Sequence, residues 1–124
     1  MGKEKVLVSA CLLGKNCRYD GGNKLSPELL KRLKDFEVVE VCPEVDGGLP
    51  TPREPATREG DRVLTNFTRR DVTAFFRAGA LKALEKAKRA GVKRAFLKSK
   101  SPSCGEEGLT AELLKKAGVK VEWF

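Results

Sequence analysis

Short runs of apolar and β-branched residues alternate with helix-forming segments along most of this 124-residue chain. The runs at residues 3–10, 36–41, 92–99 and 119–123 are typical of strands, and amphipathic segments that begin at Ser26, Asp71 and Glu107 are typical of helices. Strands that alternate with helices favour a parallel sheet with right-handed crossovers. We therefore predict one α/β domain over residues 1–124. It is a small three-layer sandwich with a mostly parallel four-stranded sheet in the order 2-1-3-4, as in Rossmann-like and flavodoxin-like folds.

A cysteine follows each of the first three predicted strands. Cys11 and Cys42 come directly after the first and second strands, and Cys104 lies in a Ser-Pro-Ser-Cys-Gly loop after the third. The carboxyl ends of parallel strands share one edge of the sheet, and ligands bind there at the point where the strand order reverses. We therefore expect the three sulfur atoms to lie within roughly 6–7 Å of one another, about the distance that separates the cysteine ligands of a cubane-type iron–sulfur cluster.

Three cysteines can hold a metal and leave one coordination position open. Thiolates favour zinc, Cu(I) or an iron–sulfur cluster, and the spacing of these cysteines does not choose between a catalytic zinc and a cubane. The chain has no histidine, which excludes a His-based triad or metal site, and no Cys-x-x-Cys pair, which argues against a zinc ribbon. The fourth thiol, Cys17, is predicted to be a bystander, and the alternatives are that it ligates the metal or forms a disulfide with Cys11.

The longest stretch without a clear element runs from residue 42 to 66 and contains four prolines and three glycines. A loop of this length in a compact domain is often a binding loop. Residues 62–65 are predicted to form a short edge strand within it. Arg53 in this loop is a candidate contact for an anionic or planar polar substrate. Ser101 and Ser103, beside Cys104, are candidates to act on a substrate at an open metal position.

The charge pattern bears on partners and location. The net charge of +8 favours either a solvated basic surface or the recruitment of nucleic acid such as RNA. The 34% charged residues and the lack of His and Gln are typical of thermophile proteins. No apolar run of about 18 residues is present, so no membrane association is expected. The N-terminus lacks a secretory signal pattern, and the predicted location is the cytoplasm.

Six segments together resemble the thiouracil desulfidase family, formerly a domain of unknown function, over nearly the whole chain. They are residues 9–14 (SACLLG), 18–21 (RYDG), 42–44 (CPE), 47–54 (GGLPTPRE), 71–73 (DVT) and 98–105 (KSKSPSCG). The resemblance implies a [4Fe–4S] cluster on three cysteines, with a fourth iron that takes the sulfur of a thiolated pyrimidine such as 2-thiouracil.

The resemblance also assigns residues. It implies that Cys11, Cys42 and Cys104 are the cluster ligands, and that Glu44 and Ser101 are the catalytic carboxylate and hydroxyl. Water, or Ser101 first, would attack the carbon activated by the open iron, and Glu44 would move the protons. Sulfur would leave as hydrosulfide, and a carbonyl would replace the thiocarbonyl without net redox change.

The chain departs from the family pattern after Gly105. Relatives usually carry a longer segment with glycine and aromatic residues there, whereas residues 106–108 (EEG) lead directly into a helix. This short variant is expected to lack part of the usual site wall. Two other classes of protein remain as alternatives: a non-enzymatic cluster- or zinc-binding protein that binds RNA, and a redox-inert module with structural cysteines.

Overall fold

A four-stranded parallel sheet forms the centre of the molecule. The computed structural model describes residues 3–124, and six strands lie within that range: β1 (Glu4–Ser9), β2 (Phe36–Val41), β3 (Ala56–Glu59), β4 (Arg62–Thr65), β5 (Arg94–Leu97) and β6 (Lys120–Trp123). The order in the main sheet is β2-β1-β5-β6, with every pair parallel. Counted by the strands of this sheet alone, the order is 2-1-3-4, and this confirms the predicted topology.

Helices connect these strands. Four lie within residues 3–124: α1 (Pro27–Arg32), α2 (Pro43–Asp46), α3 (Thr73–Ala90) and α4 (Leu109–Lys116). Helix α1 begins as its sequence predicts, because Ser26 Oγ accepts the Leu29 N–H at 3.2 Å and Pro27 occupies the first turn. Helix α3 ends at Gly91, whose φ of 69° suits glycine. None of the helices in this part of the chain is long and apolar enough to cross a membrane.

The sheet is covered by helices on both faces. On one face, Leu7 and Ala95 pack with Ala83 of α3 and Leu114 of α4. On the other face, Val6, Val8 and Phe96 pack with Leu29 of α1. Burying apolar side chains on both faces supplies the main stabilisation of such a fold. The predicted three-layer sandwich is therefore confirmed.

The stretch from 42 to 66 contains more regular structure than its sequence indicates. Pro43 starts the single-turn helix α2, and β3 pairs with β4 in an antiparallel hairpin that stands apart from the main sheet. The predicted strand at 62–65 is confirmed as β4. Its partner β3 was missed, although Gly60-Asp61 between them, with a Gly60 φ of 63°, is a two-residue hairpin turn.

Helices α2 and α3 approach each other backbone to backbone. A Cβ atom added at Gly79 of α3 would overlap the Pro43 carbonyl oxygen, and one added at Gly47 would overlap the Phe75 carbonyl oxygen. Only glycine allows this approach. The contact fixes the position of the turn that carries Glu44 directly after β2.

Candidate active site

A cavity of about 500 Å³ opens at the carboxyl edge of the main sheet, beyond the ends of β1, β2 and β5. This edge is where a doubly wound sheet binds its ligands. Every site residue predicted from the sequence, together with Cys17, lines this cavity: Cys11, Cys17, Cys42, Glu44, Arg53, Ser101, Ser103 and Cys104. The structure thus brings the predicted residues to one place. The individual roles of these residues stay predictions.

Cys11 lies in a 3₁₀ helix, Ala10–Leu13, that continues directly from β1. Gly14 closes this turn with a φ of 93°, and the Cys11 carbonyl accepts the Lys24 N–H at 2.9 Å. Burial raises the pKa of the Cys11 thiol, and the neighbouring Cys42 raises it further, while Lys98 and Arg18 oppose the rise. The thiol therefore stays protonated near neutral pH unless a metal displaces its proton.

Cys42 follows β2 and is the most acidic thiol of the cavity. A hydrogen bond from the Cys17 thiol is the main cause that lowers its pKa to about 7, and a backbone hydrogen bond and the charge of Arg53 lower it further against the effect of burial. In its neutral form the Cys42 thiol lies 3.6 Å from the Cys17 carbonyl oxygen. A substantial fraction of Cys42 is thus thiolate near neutral pH.

Cys104 is buried within its loop. The loop folds around the Ser101 hydroxyl, whose oxygen accepts the N–H groups of Ser103 and Cys104, each at 3.2 Å. Glycine is required at position 105, directly after Cys104, because a Cβ atom there would overlap the backbone of Ser101. Burial raises the pKa of Cys104 to about 12, although a hydrogen bond from Ser9 partly offsets the rise.

Cys17 is also buried and lies beside Cys42. All four cysteines in the described part of the chain are free thiols, so the structure does not contain the Cys11–Cys17 disulfide considered as an alternative. The hydrogen bond that Cys17 gives to Cys42, together with burial, raises the pKa of Cys17 well above its ordinary value. Cys17 is therefore a buried, protonated thiol beside Cys42.

Glu44 is held between a guanidinium and a hydroxyl. Its Oε1 accepts from Arg53 Nε at 3.0 Å, and its Oε2 accepts from Ser103 Oγ at 3.0 Å. The Arg53 and Glu44 side chains are only 7% and 14% exposed, so this ion pair is shielded from water. A shielded, doubly hydrogen-bonded carboxylate keeps one orientation.

Most N–H groups of the Arg53 guanidinium donate hydrogen bonds within the protein. Besides Glu44, its guanidinium donates to the Pro50 carbonyl at 3.2 Å, Thr51 Oγ1 at 3.1 Å and the Cys17 carbonyl at 2.9 Å. A guanidinium has five N–H groups, so four are used and one remains for the predicted substrate contact. Arg53 joins the long loop to the cysteine-bearing loop after β1.

Basic side chains surround the opening of the cavity. Arg18, Lys24, Lys98 and Lys100 all line it. Burial is the main cause that lowers the pKa of Lys98, and the charges of Arg18, Lys24 and Lys100 lower it further. Positive charge at this edge stabilises thiolates and other anionic groups in the cavity.

The hairpin β3–β4 forms one wall of the cavity, through Ala56, Thr57 and Asn66. These three residues were not predicted from the sequence, because only one strand of the hairpin was recognised there. Ser9 at the end of β1 was missed as well, although it lines the cavity and its hydroxyl accepts the Lys98 N–H at 2.9 Å. The Gly60-Asp61 turn was the signal that pointed to the hairpin.

The ligand geometry bears on which metal fits. Within residues 3–124, no three side chains of His, Cys, Asp or Glu are grouped closely enough to hold a single metal ion. A tetrahedral zinc places its sulfur ligands about 4 Å apart, whereas a cubane spreads its ligands over a wider span. By donor chemistry, the soft thiols of this cavity suit either a zinc ion or a cubane.

We predict that iodoacetamide modifies Cys42 first in the metal-free protein. A thiol reacts as thiolate, and the pKa of Cys42 is about 7 whereas those of the other three thiols are raised. The rate at Cys42 should therefore increase about fivefold from pH 6 to pH 7 and less than about twofold from pH 7 to pH 8. Mass spectrometry of tryptic peptides measures the rate of modification at each cysteine.

The matched control is Cys17→Ala, which removes the hydrogen bond that lowers the Cys42 pKa. The rate profile of Cys42 should then shift to higher pH. Faster modification of Cys11 than of Cys42 at pH 7, or an unchanged profile in Cys17→Ala, would contradict this account of the thiols.

The fold and the cavity define a small α/β protein with a cysteine-lined site at the switch point of its sheet. Residues 6–122 match the family model described as 2-thiouracil desulfurase. The uncharacterized protein YbbK of Bacillus subtilis (strain 168) is 37% identical over 94% of this chain and 93% of its own length. A solved structure of the [4Fe-4S]-dependent thiouracil desulfidase TudS matches with a TM-score of 0.90 and 42% identity, covering 98% of this chain and 91% of that one.

The chain therefore belongs to the 2-thiouracil desulfurase family. This confirms the resemblance found in the six sequence segments.

Proposed function

We propose that this protein is a [4Fe–4S]-dependent desulfidase. It removes sulfur from a thiolated pyrimidine such as 2-thiouracil and releases the carbonyl compound and hydrosulfide. The observation that carries the proposal is that thiols from three separate segments share one cavity with a carboxylate–serine network. Family membership and the match to TudS, described as a [4Fe-4S]-dependent thiouracil desulfidase, support it.

The donor set fits the cluster. Cys11, Cys42 and Cys104 would hold it, because they are soft ligands from three rigid positions at the sheet edge. The basic side chains around the opening offset the charge of three thiolates. When bound, a cluster with three protein ligands supplies a Lewis-acidic iron that can polarise a thiocarbonyl.

The residues around the thiols supply the proton chemistry. Glu44 is the carboxylate of the cavity, and it is oriented by Arg53 on one oxygen and by Ser103 on the other. Ser101 presents a hydroxyl whose oxygen is held by two backbone N–H groups. Water provides the oxygen of the product, Glu44 accepts the proton released on attack, and sulfur departs as hydrosulfide, so no electron is gained or lost.

The four free thiols also bear on location. Such thiols persist in a reducing compartment, and on this ground we place the protein in the cytoplasm. The proposed substrate is a small thiolated nucleobase. RNA remains the partner in the alternative of a cluster- or zinc-binding protein, which the net charge of +8 would favour.

Anaerobic purification followed by metal analysis separates these functions. The proposal expects iron and acid-labile sulfide with a broad visible absorption band, and conversion of 2-thiouracil to uracil with one hydrosulfide released per turnover. Stoichiometric zinc without a visible band would overturn the cluster. Steeply salt-dependent RNA binding without turnover would favour the RNA-binding alternative.

Cys17→Ser is expected to keep the cluster and most of the activity. Cys17 is not among the three proposed ligands, and a serine hydroxyl can still donate a hydrogen bond to Cys42. Iron and sulfide analysis of the anaerobically purified variant measures this. Iron loss as large as in Cys11→Ser would show that Cys17 is a ligand.

A further inference from the structure

We infer that Ser103 is a proton-relay residue, which joins Ser101 to Glu44 and positions both, rather than a contact for substrate. The inference rests on the proposed function, because it concerns how the proton of the attacking group reaches Glu44. The observation behind it is a continuous row of three polar groups. Ser101 Oγ lies 3.2 Å from Ser103 Oγ, and Ser103 Oγ lies 3.0 Å from Glu44 Oε2.

The direction of each hydrogen bond follows from what each group can donate. The Ser103 hydroxyl donates to Glu44 Oε2, while Arg53 donates to the other carboxylate oxygen. Ser103 therefore has no second proton to give to Ser101. The hydrogen bond between the two serines must run from Ser101 to Ser103, although the distance alone allows either direction.

The backbone around Ser101 supports the same direction. The Ser101 oxygen already accepts the N–H groups of Ser103 and Cys104, so both of its lone pairs are engaged. The hydroxyl proton is then the one remaining group that can point at Ser103. The two N–H groups would also stabilise negative charge on the Ser101 oxygen as its proton leaves, as oxyanion-hole donors do.

Burial distinguishes the two serines. Ser103 is 1% exposed and has its hydroxyl proton committed to Glu44, whereas Ser101 is only partly buried at the cavity wall. Ser101 is thus the end of the row that a substrate or an attacking water can meet. Ser103 borders the same cavity but is almost fully buried between Ser101 and the Glu44 carboxylate.

The other end of the row is fixed by Arg53. Its Nε holds Glu44 Oε1 at 3.0 Å and leaves Oε2 facing Ser103. Arg53 is itself anchored on the carbonyls of Cys17 and Pro50. The carboxylate therefore cannot rotate away from Ser103 without breaking a shielded ion pair.

The proton transfer balances as follows. As the new C–O bond forms, Ser101 Oγ gives its proton to Ser103 Oγ, and Ser103 gives its own proton to Glu44 Oε2. Where water attacks, the water proton replaces the one that Ser101 has lost. Formation of the C–O bond moves the π electrons of the thiocarbonyl onto sulfur. The C–S bond then breaks, and in the water route the hydroxyl proton of the intermediate leaves with sulfur as hydrosulfide while the carbonyl forms. Where Ser101 attacks first, water then hydrolyses its bond to the substrate carbon and restores the hydroxyl. Glu44 ends as a neutral acid, both serines end as hydroxyls, and no oxidant or reductant takes part.

The test compares Ser103→Ala and Ser103→Thr in the cluster-loaded enzyme with 2-thiouracil. We expect Ser103→Ala to lower kcat by about 10²-fold with KM changed by less than about threefold, since a missing acid–base connection affects the chemical step. Iron content, cluster absorption and Tm should stay close to the wild type. Ser103→Thr keeps the hydroxyl and should recover at least about a tenth of the wild-type kcat.

A double-mutant cycle identifies a relay more directly. Groups that act as one unit give non-additive effects, so Ser103→Ala combined with Glu44→Gln should lose no more activity than Glu44→Gln alone. The matched control is Ser99→Ala, which removes a hydroxyl from the same loop. The Ser99 hydroxyl donates to the Phe124 carbonyl and not to Glu44. Its effect should be small and should add to that of Glu44→Gln.

Infrared difference spectra give a readout that needs no turnover. The carboxylate band of Glu44, identified by its disappearance in Glu44→Gln, should shift in Ser103→Ala and stay in place in Ser99→Ala. Provided that the wild type is active, any one of three results would overturn the relay. These are an unshifted Glu44 band in Ser103→Ala, an unimpaired kcat in Ser103→Ala, or strictly additive losses of activity in Ser103→Ala and Glu44→Gln. A cluster-loaded wild type that releases no hydrosulfide from any thiolated pyrimidine would instead overturn the proposed function.

Discussion

Cys104→Ser is expected to lose the cluster and, with it, all measurable desulfidase activity. A serine hydroxyl is a hard ligand that does not ionise near neutral pH, so the proposed site keeps only two thiolates. Cys104 is also the most enclosed of the three proposed ligands, with burial that raises its pKa to about 12, so its proton leaves mainly when a metal takes its place. Iron and sulfide content, visible absorption and 2-thiouracil turnover measure the loss.

Two matched variants show whether this loss is specific to the ligand position. Cys11→Ser should behave like Cys104→Ser, whereas Cys17→Ser should resemble the wild type. Thermal denaturation of the metal-free proteins separates loss of the cluster from loss of the fold. A Cys104→Ser protein with a full iron content and normal turnover would remove Cys104 from the ligand set.

Glu44→Gln is expected to keep iron and fold but to lose about 10²–10⁴-fold in kcat, the usual contribution of a general acid–base group. An amide keeps the shape of the side chain but cannot accept a proton. Because the amide also leaves the shielded Arg53 without its counter-charge, we expect the free energy of unfolding to fall by roughly 1–3 kcal/mol. Turnover of 2-thiouracil and thermal denaturation measure the two effects separately.

Ser101→Ala serves as the companion variant. It should also retain iron and lose most of its activity, because it removes the hydroxyl that faces the cavity. Full activity in Glu44→Gln would refute the role of this carboxylate. Full activity in Ser101→Ala would leave direct attack by water without help from that hydroxyl.

The main sheet could be predicted because its signals are local. Each strand is a short apolar run bounded by a turn or a helix cap. Ser26 marks the start of α1 because its side chain caps the helix, and Gly91 marks the end of α3 because its backbone adopts a positive φ. Parallel connections then restrict the order to very few arrangements. The small hairpin was only half predicted, since β3 contains the polar and charged sequence Ala-Thr-Arg-Glu and has little apolar alternation.

The site was predictable in its thiols and not in its hydrogen bonds. The cysteines follow strands, and the topology of the sheet is enough to bring them to one edge. The contact of Ser103 with Glu44 joins residues 59 positions apart, and that of Arg53 with the Cys17 carbonyl joins residues 36 positions apart. Such contacts depend on how loops fold in three dimensions, and neither spacing nor composition indicates them.

A reconstitution series tests the central claim most directly. The metal-free protein is loaded anaerobically with increasing iron and sulfide, and hydrosulfide release from 2-thiouracil is measured at each step. The account predicts activity that rises with cluster content to a plateau near about four iron and four sulfide per chain, and none in Cys11→Ser treated in the same way. Turnover that is independent of iron content, or a fully loaded protein that releases no hydrosulfide, would contradict it.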